Sequence, residues 1–298
     1  MDSLAPATIK QYNSVYKQWW TFCEEKNYDP YKSTTNILLR FLKVRFDAGA
    51  SYSTLSSTRS ALNRILNIDL TQNIVSEFLK GTSKKRPSKP KYKRIWDTST
   101  VLSLLESWNS DDSTLKQLTE KTAMLLALTT AHRVQTFSLI NIKNIKKRND
   151  SLEIEIPDCI KTSGPGRFQP LLILPRFEEK PNLCVASTAE KYLEKTSSIR
   201  ESTKKLFISY TAPHKAVTKD TISRWLKNTL TEAGIDGSQF SGHSTRAAST
   251  SKAALNGVSI DEIRNTATWS EKSQTFAKFY NKPITPSKNL FALTILNS

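Results

Sequence analysis

The stretch Lys84-Lys85-Arg86-Pro87-Ser88-Lys89-Pro90-Lys91-Tyr92-Lys93-Arg94 limits what this chain can fold into more than any other. It holds seven basic residues, two prolines and no acid. Self-repulsion and proline keep such a run extended, so it is not expected to contribute to a core. The chain therefore divides into residues 1–83, a basic linker over 84–94, and residues 95–298. A length of 298 residues predicts two units of ordinary domain size by itself. Of the net charge of +17, residues 1–83 carry +3, the run +7 and the remainder +7. A field of that size calls for a polyanionic partner, of which nucleic acid is the commonest. An extended basic run can lie along phosphates and release counterions. It also reads as a nuclear-import signal, and the two readings are compatible.

The apolar fraction of 38% is enough for packed cores. Cys23, Cys159 and Cys184 are odd in number and widely spaced, with neither metal-ligand nor redox spacing. They are expected to be small core residues in a reduced intracellular compartment. No signal segment opens the chain, and no run approaches the ~18 apolar residues of a membrane span. A soluble protein without metal chemistry is the expectation.

Residues 1–83 read as four helices. Ile9, Tyr12, Val15, Tyr16, Trp19, Trp20 and Cys23 recur at helical steps after Ala5-Pro6. Ser33 or Thr34 can cap a second helix and Gly49 end it. Ser53 or Thr54 can cap a third. A short fourth, with Ile74, Val75, Phe78 and Leu79, is expected to stop at Gly81. Four such helices make a small bundle. Its tryptophans and tyrosines read as core, and its exposed basic residues Arg40, Lys43, Arg45, Arg59 and Arg64 as phosphate contacts. In the second unit Thr98 can cap a helix, and a longer one runs from Leu115 to about Thr129, delivering His132 and Arg133. Leu152–Ile156 alternates as a strand, and Phe168–Leu174 reads as its return across Gly164-Pro165-Gly166. Helices are predicted over Val185–Thr196, Thr218–Ala233, Ser244–Leu255, Ile260–Thr268 and Ser273–Tyr280. The fold class is mainly α: an N-terminal four-helix bundle, then an α+β domain with a small antiparallel sheet.

Chemistry concentrates between Ser241 and Tyr280. In Ser-Gly-His243-Ser-Thr-Arg246 the His and Arg are three apart, on one face of any helix starting near Ser244. An Arg fork grips phosphate in a bidentate way, and a His moves protons near neutral pH. Trp269 can only donate a hydrogen bond. Tyr280 offers a phenol oxygen that becomes a nucleophile once its proton is taken. Upstream stand Arg133, in Ala131-His132-Arg133-Val134-Gln135-Thr136, and Lys161, in the turn Ile160-Lys161-Thr162-Ser163-Gly164. Such groups suit attack on a phosphodiester. Singly each has a bland reading: a helix-end Arg, a surface Lys, a packed Trp or Tyr.

The order Arg133, Lys161, His243-x-x-Arg246, Trp269, Tyr280 resembles the tyrosine recombinases, the phage-integrase family. The Trp and its spacing to the Tyr look most like versions from eukaryotic mobile elements of the Crypton or DIRS type. The resemblance covers the second domain and, more loosely, the bundle. It implies a helical core-binding (SAM-like) DNA-binding domain over 1–83 and a catalytic domain over 95–298. The implied chemistry is DNA strand cleavage and rejoining through a 3′-phosphotyrosine, with no metal, no cofactor and no ATP. Arg133 and Arg246 would clamp the phosphate, and Lys161 would protonate the leaving 5′-oxygen. His243 would accept the Tyr280 proton or bond the phosphate oxygen, and Trp269 would orient a phosphate oxygen. The expected partner is double-stranded DNA. Arg40, Lys43, Arg59, Arg64, Lys84, Lys85, Arg86, Lys89, Lys91, Lys93 and Arg94 would contact it. The apolar tail with Leu290, Phe291, Leu293, Ile295 and Leu296 would dock on a neighbour, giving a homotetramer on synapsed DNA and a monomer or dimer otherwise. The location would be the nucleus in a eukaryote and the cytoplasm or nucleoid elsewhere. Two departures stand out: Ala131 replaces the usual Gly, and Thr136 replaces the acid that buttresses the first Arg. A non-catalytic DNA-binding derivative and a type IB topoisomerase-like nicking-closing enzyme are the alternatives.

Overall fold

The computed structural model describes residues 4–66, 73–87, 92–164, 166–270 and 276–284. Lys89, Lys91 and the tail leucines lie outside the described residues. The chain separates into two compact units, Met1–Pro90 and Lys91–Ser298.

The first unit contains α1 (Pro6–Glu25), α2 (Thr35–Asp47), α3 (Tyr52–Leu62) and α4 (Asn73–Lys85). Pro6 takes the first helical position of α1, where a missing N–H costs nothing. The Thr34 hydroxyl caps α2 by accepting from the Ile37 N–H. Trp19 is fully buried among Leu38, Phe41, Leu42 and Leu55. Its indole N–H donates to the Pro30 carbonyl at 2.9 Å. The adjacent Trp20 points outward and is 46% exposed, so the expectation of a core role fails for it.

Two boundaries differ from expectation. The cap of α3 is Ser51, not Ser53 or Thr54, because the Ser51 hydroxyl is the one that accepts from the Thr54 N–H. Gly81 lies inside α4 and does not end it. A mid-helix Gly costs about 0.5–1 kcal/mol, but contacts further along hold the helix together. Thr82 is buried and donates to the Leu79 carbonyl at 2.7 Å. Arg86 sits 3.9 Å over the Phe46 ring and donates to the Phe46 carbonyl at 2.8 Å. The basic run is therefore not extended from its start: Lys84 and Lys85 form the last turn of α4, where cations face the helix's negative end.

The second unit contains α5 (Thr98–Ser107), α6 (Leu115–Thr130), α7 (Val134–Leu139), β1 (Ile145–Lys147), β2 (Ser151–Glu155), β3 (Leu171–Pro175), α8 (Val185–Thr196), α9 (Lys219–Glu232), α10 (Ser244–Leu255) and α11 (Ile260–Thr266), then a π turn at Phe276–Tyr280. The far end of the basic run also packs. Tyr92 is buried with its ring 5.3 Å from Phe240, and it joins Ile95 and Trp96 in this unit's core. An aromatic ring outweighs the charge of its neighbours there. Asp97, not Thr98, caps α5 by accepting from the Ser99 N–H.

Helix α6 is the central rod. Thr114 and Gln117 close a reciprocal capping box at its start. Nearly every later residue is buried, against α8, α9 and α10. The sheet runs β1-β2-β3, antiparallel throughout, with Ile154 facing Ile145 on one side and Leu172 on the other. Leu152, Ile154, Leu172 and Leu174 turn to the core, while Leu171 and Ile173 face out. The return strand begins at Leu171, so Phe168 is left fully exposed on the connection. Cys23 and Cys184 are buried, but Cys159 is exposed on that same connection and is not a core residue. Among the described residues no helix is long and apolar enough to cross a membrane, and no group of His, Cys, Asp and Glu could hold a metal.

Candidate active site

Helix α6 ends on Ala131 in the left-handed region, φ 50°. A side chain there costs roughly 1–2 kcal/mol relative to the right-handed form, so Ala in place of Gly is a local strain. The reversal sends the chain into His132 and Arg133, and the extended Arg133 opens α7. Both side chains thus leave one tight corner. His132 is buried. Burial first, then the Arg246 and Arg133 charges, push its imidazole down to about 3, so it is neutral at physiological pH.

Arg246 sits in the first turn of α10, one turn after His243, and is 1% exposed. No carboxylate meets it among the described residues. Its guanidinium instead donates to the Ala131 carbonyl at 2.6 Å and the Ala267 carbonyl at 2.5 Å. These are the C-cap carbonyls of α6 and α11. Two negative helix ends therefore hold one buried cation. Burial still lowers its pKa to about 10; the Arg133 charge adds to this, and the Tyr280 phenol partly offsets it.

Trp269 is placed by the exit of α11. Thr268 is left-handed, φ 51°. The Trp269 N–H donates to the Arg264 carbonyl at 2.9 Å and the Thr268 N–H to Asn265 at 3.0 Å, the hydrogen-bond pair of a Schellman motif. The indole lands 4.6 Å under the Arg246 guanidinium and 4.9 Å from the Tyr280 ring. Tyr280 lies 5.6 Å from the same guanidinium, and its Oη is 2.9 Å from His243 Nε2.

His243, Arg246, Trp269 and Tyr280 therefore form one contiguous group, with Arg133 close enough to act on Arg246. Two buried donors in it, Arg246 Nε and Trp269 Nε1, have no partner among the described residues. Such orphans are few in folded proteins, and Glu120 Oε1, Arg200 Nε and Arg264 Nε are the others among the described residues. Arg133 is half-buried, its side chain without a hydrogen-bond or ion-pair partner among the described residues, and the buried Thr136 one turn on brings it no charge. Lys161 is not in the group. It is exposed on the β2–β3 connection, and its side chain has no partner among the described residues. A cavity of about 610 Å³ separates that connection from the site, with Thr162, Arg167 and Gln169 on one wall and His132 and Trp269 on the other.

The remaining expected DNA contacts are surface groups. Arg64, Lys84, Lys85, Arg86, Lys93 and Arg94 are exposed, and Arg59 is half-buried. Arg40 bonds the Tyr28 hydroxyl, and Lys43 pairs with Asp47 at 2.5 Å. Arg45 is half-buried against the Thr58 hydroxyl. His214 holds the Ser209 carbonyl through Nδ1.

In this largely helical unit Arg246 of α10 and Trp269, just after α11, hold their unpartnered donors beside a phenol bonded to a histidine. Residues 96–284 match the phage integrase family. The chain belongs to that family, the tyrosine recombinases. The fold is similar to that of XerH recombinase bound to palindromic difH substrate in a post-cleavage complex, at 16% identity, 88% of this chain, 72% of that chain and a TM-score of 0.60. A lambda integrase tetramer bound to a Holliday junction matches at 16% identity over 93% and 73%, TM-score 0.53. Tn1549 transposon integrase in complex with circular intermediate DNA matches at 10% identity over 95% and 98%, TM-score 0.55. No curated protein sequence matches the chain.

Sequence reasoning missed the two carbonyls that seat Arg246. A backbone oxygen leaves no mark in residue types, and Ala131 and Ala267 are unremarkable as letters.

Proposed function

We propose that the protein is an active site-specific DNA recombinase that cuts and rejoins strands through a 3′-phosphotyrosine at Tyr280. The observation that carries this is the 2.9 Å contact between Tyr280 Oη and His243 Nε2, beside a buried Arg246 with an unused donor. The two guanidiniums, Arg133 and Arg246, stabilise charge that builds on the non-bridging oxygens in the transition state. Losing one such donor costs about 3–4 kcal/mol, a hundred- to a thousandfold in rate. The Tyr280 contact favours His243 as acceptor of the phenol proton over a purely phosphate-binding role. Trp269 Nε1 gives one further hydrogen bond to the phosphate. Lys161 is the acid for the leaving 5′-oxygen, and it acts only once the β2–β3 connection swings toward the DNA. The free 5′-hydroxyl can then attack a second phosphotyrosine, which exchanges strands. The bond energy is stored in the covalent link.

Family membership supports recombination of double-stranded DNA. The Tn1549 likeness fits a role in moving a mobile element, in line with the Crypton- or DIRS-like motif, and the lambda integrase likeness fits a tetramer on synapsed DNA. A basic run compatible with nuclear import fits a nuclear location in a eukaryotic host. The test uses a nicked suicide duplex carrying the protein's own site, found by selection from random duplexes. An SDS-resistant adduct supports an enzyme; its absence with wild-type protein leaves the non-catalytic DNA-binding reading. Strand exchange between two duplexes, beyond relaxation of supercoils, separates a recombinase from a type IB topoisomerase.

A further inference from the structure

In the middle of α10 the Ser249 and Thr250 hydroxyls bond back to their own helix. Thr250 donates to the Arg246 carbonyl at 2.7 Å, the usual use of a mid-helix Ser or Thr. Ser251 departs from this. It is 3% exposed, and its Oγ donates to the Tyr280 carbonyl at 2.5 Å and accepts from the Lys282 N–H at 3.0 Å. One hydroxyl thus grips the backbone on both sides of Asn281. The chain just beyond is tied as well, where the Ile95 N–H donates to the Pro283 carbonyl at 3.1 Å. The helix that Ser251 belongs to also carries Arg246 and starts at His243.

We propose that Ser251 is a positioning residue that sets the register of the Tyr280 segment on α10. This rests on reading Tyr280 as the nucleophile. The π turn at Phe276–Tyr280 is short, so it does little to fix the phenol by itself. Holding the Tyr280 carbonyl and the Lys282 amide to a rigid helix fixes where the phenol oxygen stands relative to His243 and Arg246. The distances between reacting groups then follow from one helix, the arrangement that keeps a nucleophile near its attack geometry. Substrate never touches Ser251.

Two measurements on the full chain test this, with Ser251→Ala and the hydroxyl-retaining Ser251→Thr. The first is amide hydrogen exchange over residues 276–284. Ser251→Ala is expected to exchange at least tenfold faster there and to match wild type elsewhere, with Ser251→Thr returning toward wild type. The second is the single-turnover rate of adduct formation on saturating nicked duplex. It is expected to fall at least tenfold in Ser251→Ala, with duplex affinity unchanged within twofold, and to recover in Ser251→Thr. Wild-type exchange over 276–284 in Ser251→Ala overturns the proposal, and so does a wild-type adduct rate. A wild-type protein that forms no adduct, with the exchange pattern as expected, sinks Tyr280 as nucleophile while the grip of Ser251 stands.

Discussion

Acidification should weaken this protein through His132, and the size follows from its surroundings. A free imidazole titrates near 6.5, and this one is held to about 3 by burial and two guanidiniums. Between those values the unfolded chain carries a proton that the folded chain does not. Stability therefore rises with pH across that window and is lost as pH falls below about 6.5. Each pH unit is about 1.4 kcal/mol. At pH 5 the loss from this one group is about 2 kcal/mol. The assay is urea unfolding of the full chain at pH 7 and pH 5, for wild type and His132→Leu. Carboxylates held below their usual range, such as Asp97 and Glu190, weaken both proteins alike on acidification. The difference between the two drops isolates His132. Wild type should lose about 2 kcal/mol more than His132→Leu; equal losses refute the claim that the imidazole is buried neutral between two guanidiniums.

Lys121 is fully buried in α6 with its ammonium on the Trp108 carbonyl, and burial lowers its pKa to about 8. Lys121→Met should stabilise the protein by about 1–2 kcal/mol at pH 7, after the lost hydrogen bond is counted. The unfolded lysine titrates near 10.5, so the gap should close as pH rises from 8 to 10, which thermal melts across that range check. At Ala131, relief of the left-handed strain and loss of a buried methyl, about 1 kcal/mol each, should nearly cancel in Ala131→Gly. Ala131→Val should destabilise by at least ~2 kcal/mol in the same melts, since a β-branched residue at φ 50° is strained. Duplex affinity should fall steeply with salt, and Lys93→Ala or Arg94→Ala should each lower the log–log slope by about 1 in a salt titration.

Much of this fold was legible because its helices are bounded by strong local signals. Val185–Thr196 and Ser244–Leu255 are helical over the expected ranges, the latter because the run of small residues after His243 has no competing breaker. Failures came where tertiary contacts overrode local chemistry. Gly81 reads as a stop, yet buried Thr82 and the Arg86–Phe46 stack carry α4 through it. Residues 84–94 read as one extended charged run, yet Lys84 and Lys85 are helical, Arg86 stacks on Phe46 and Tyr92 is buried. The strand β1 is three residues long, two of them lysine, too short for alternation to announce it. The expected helix before Tyr280 is, over its described part, a π turn at Phe276–Tyr280. At the site, the spacing pointed to His243, Arg246, Trp269 and Tyr280, which lie together, and to Lys161, which does not join them. The seating of the four could not be read from it: carbonyls of Ala131 and Ala267 and the hydroxyl of Ser251 belong to residue types found everywhere.

In the proposed reaction the phenol oxygen of Tyr280 becomes covalently joined to a DNA phosphate. The most direct measurement is to trap the protein on a nicked suicide duplex, digest both components, and locate the nucleotide-bearing peptide by mass. A single modified peptide containing Tyr280 is expected, with no adduct from Tyr280→Phe. A modification on any other residue, or an undiminished adduct from Tyr280→Phe, contradicts that reaction.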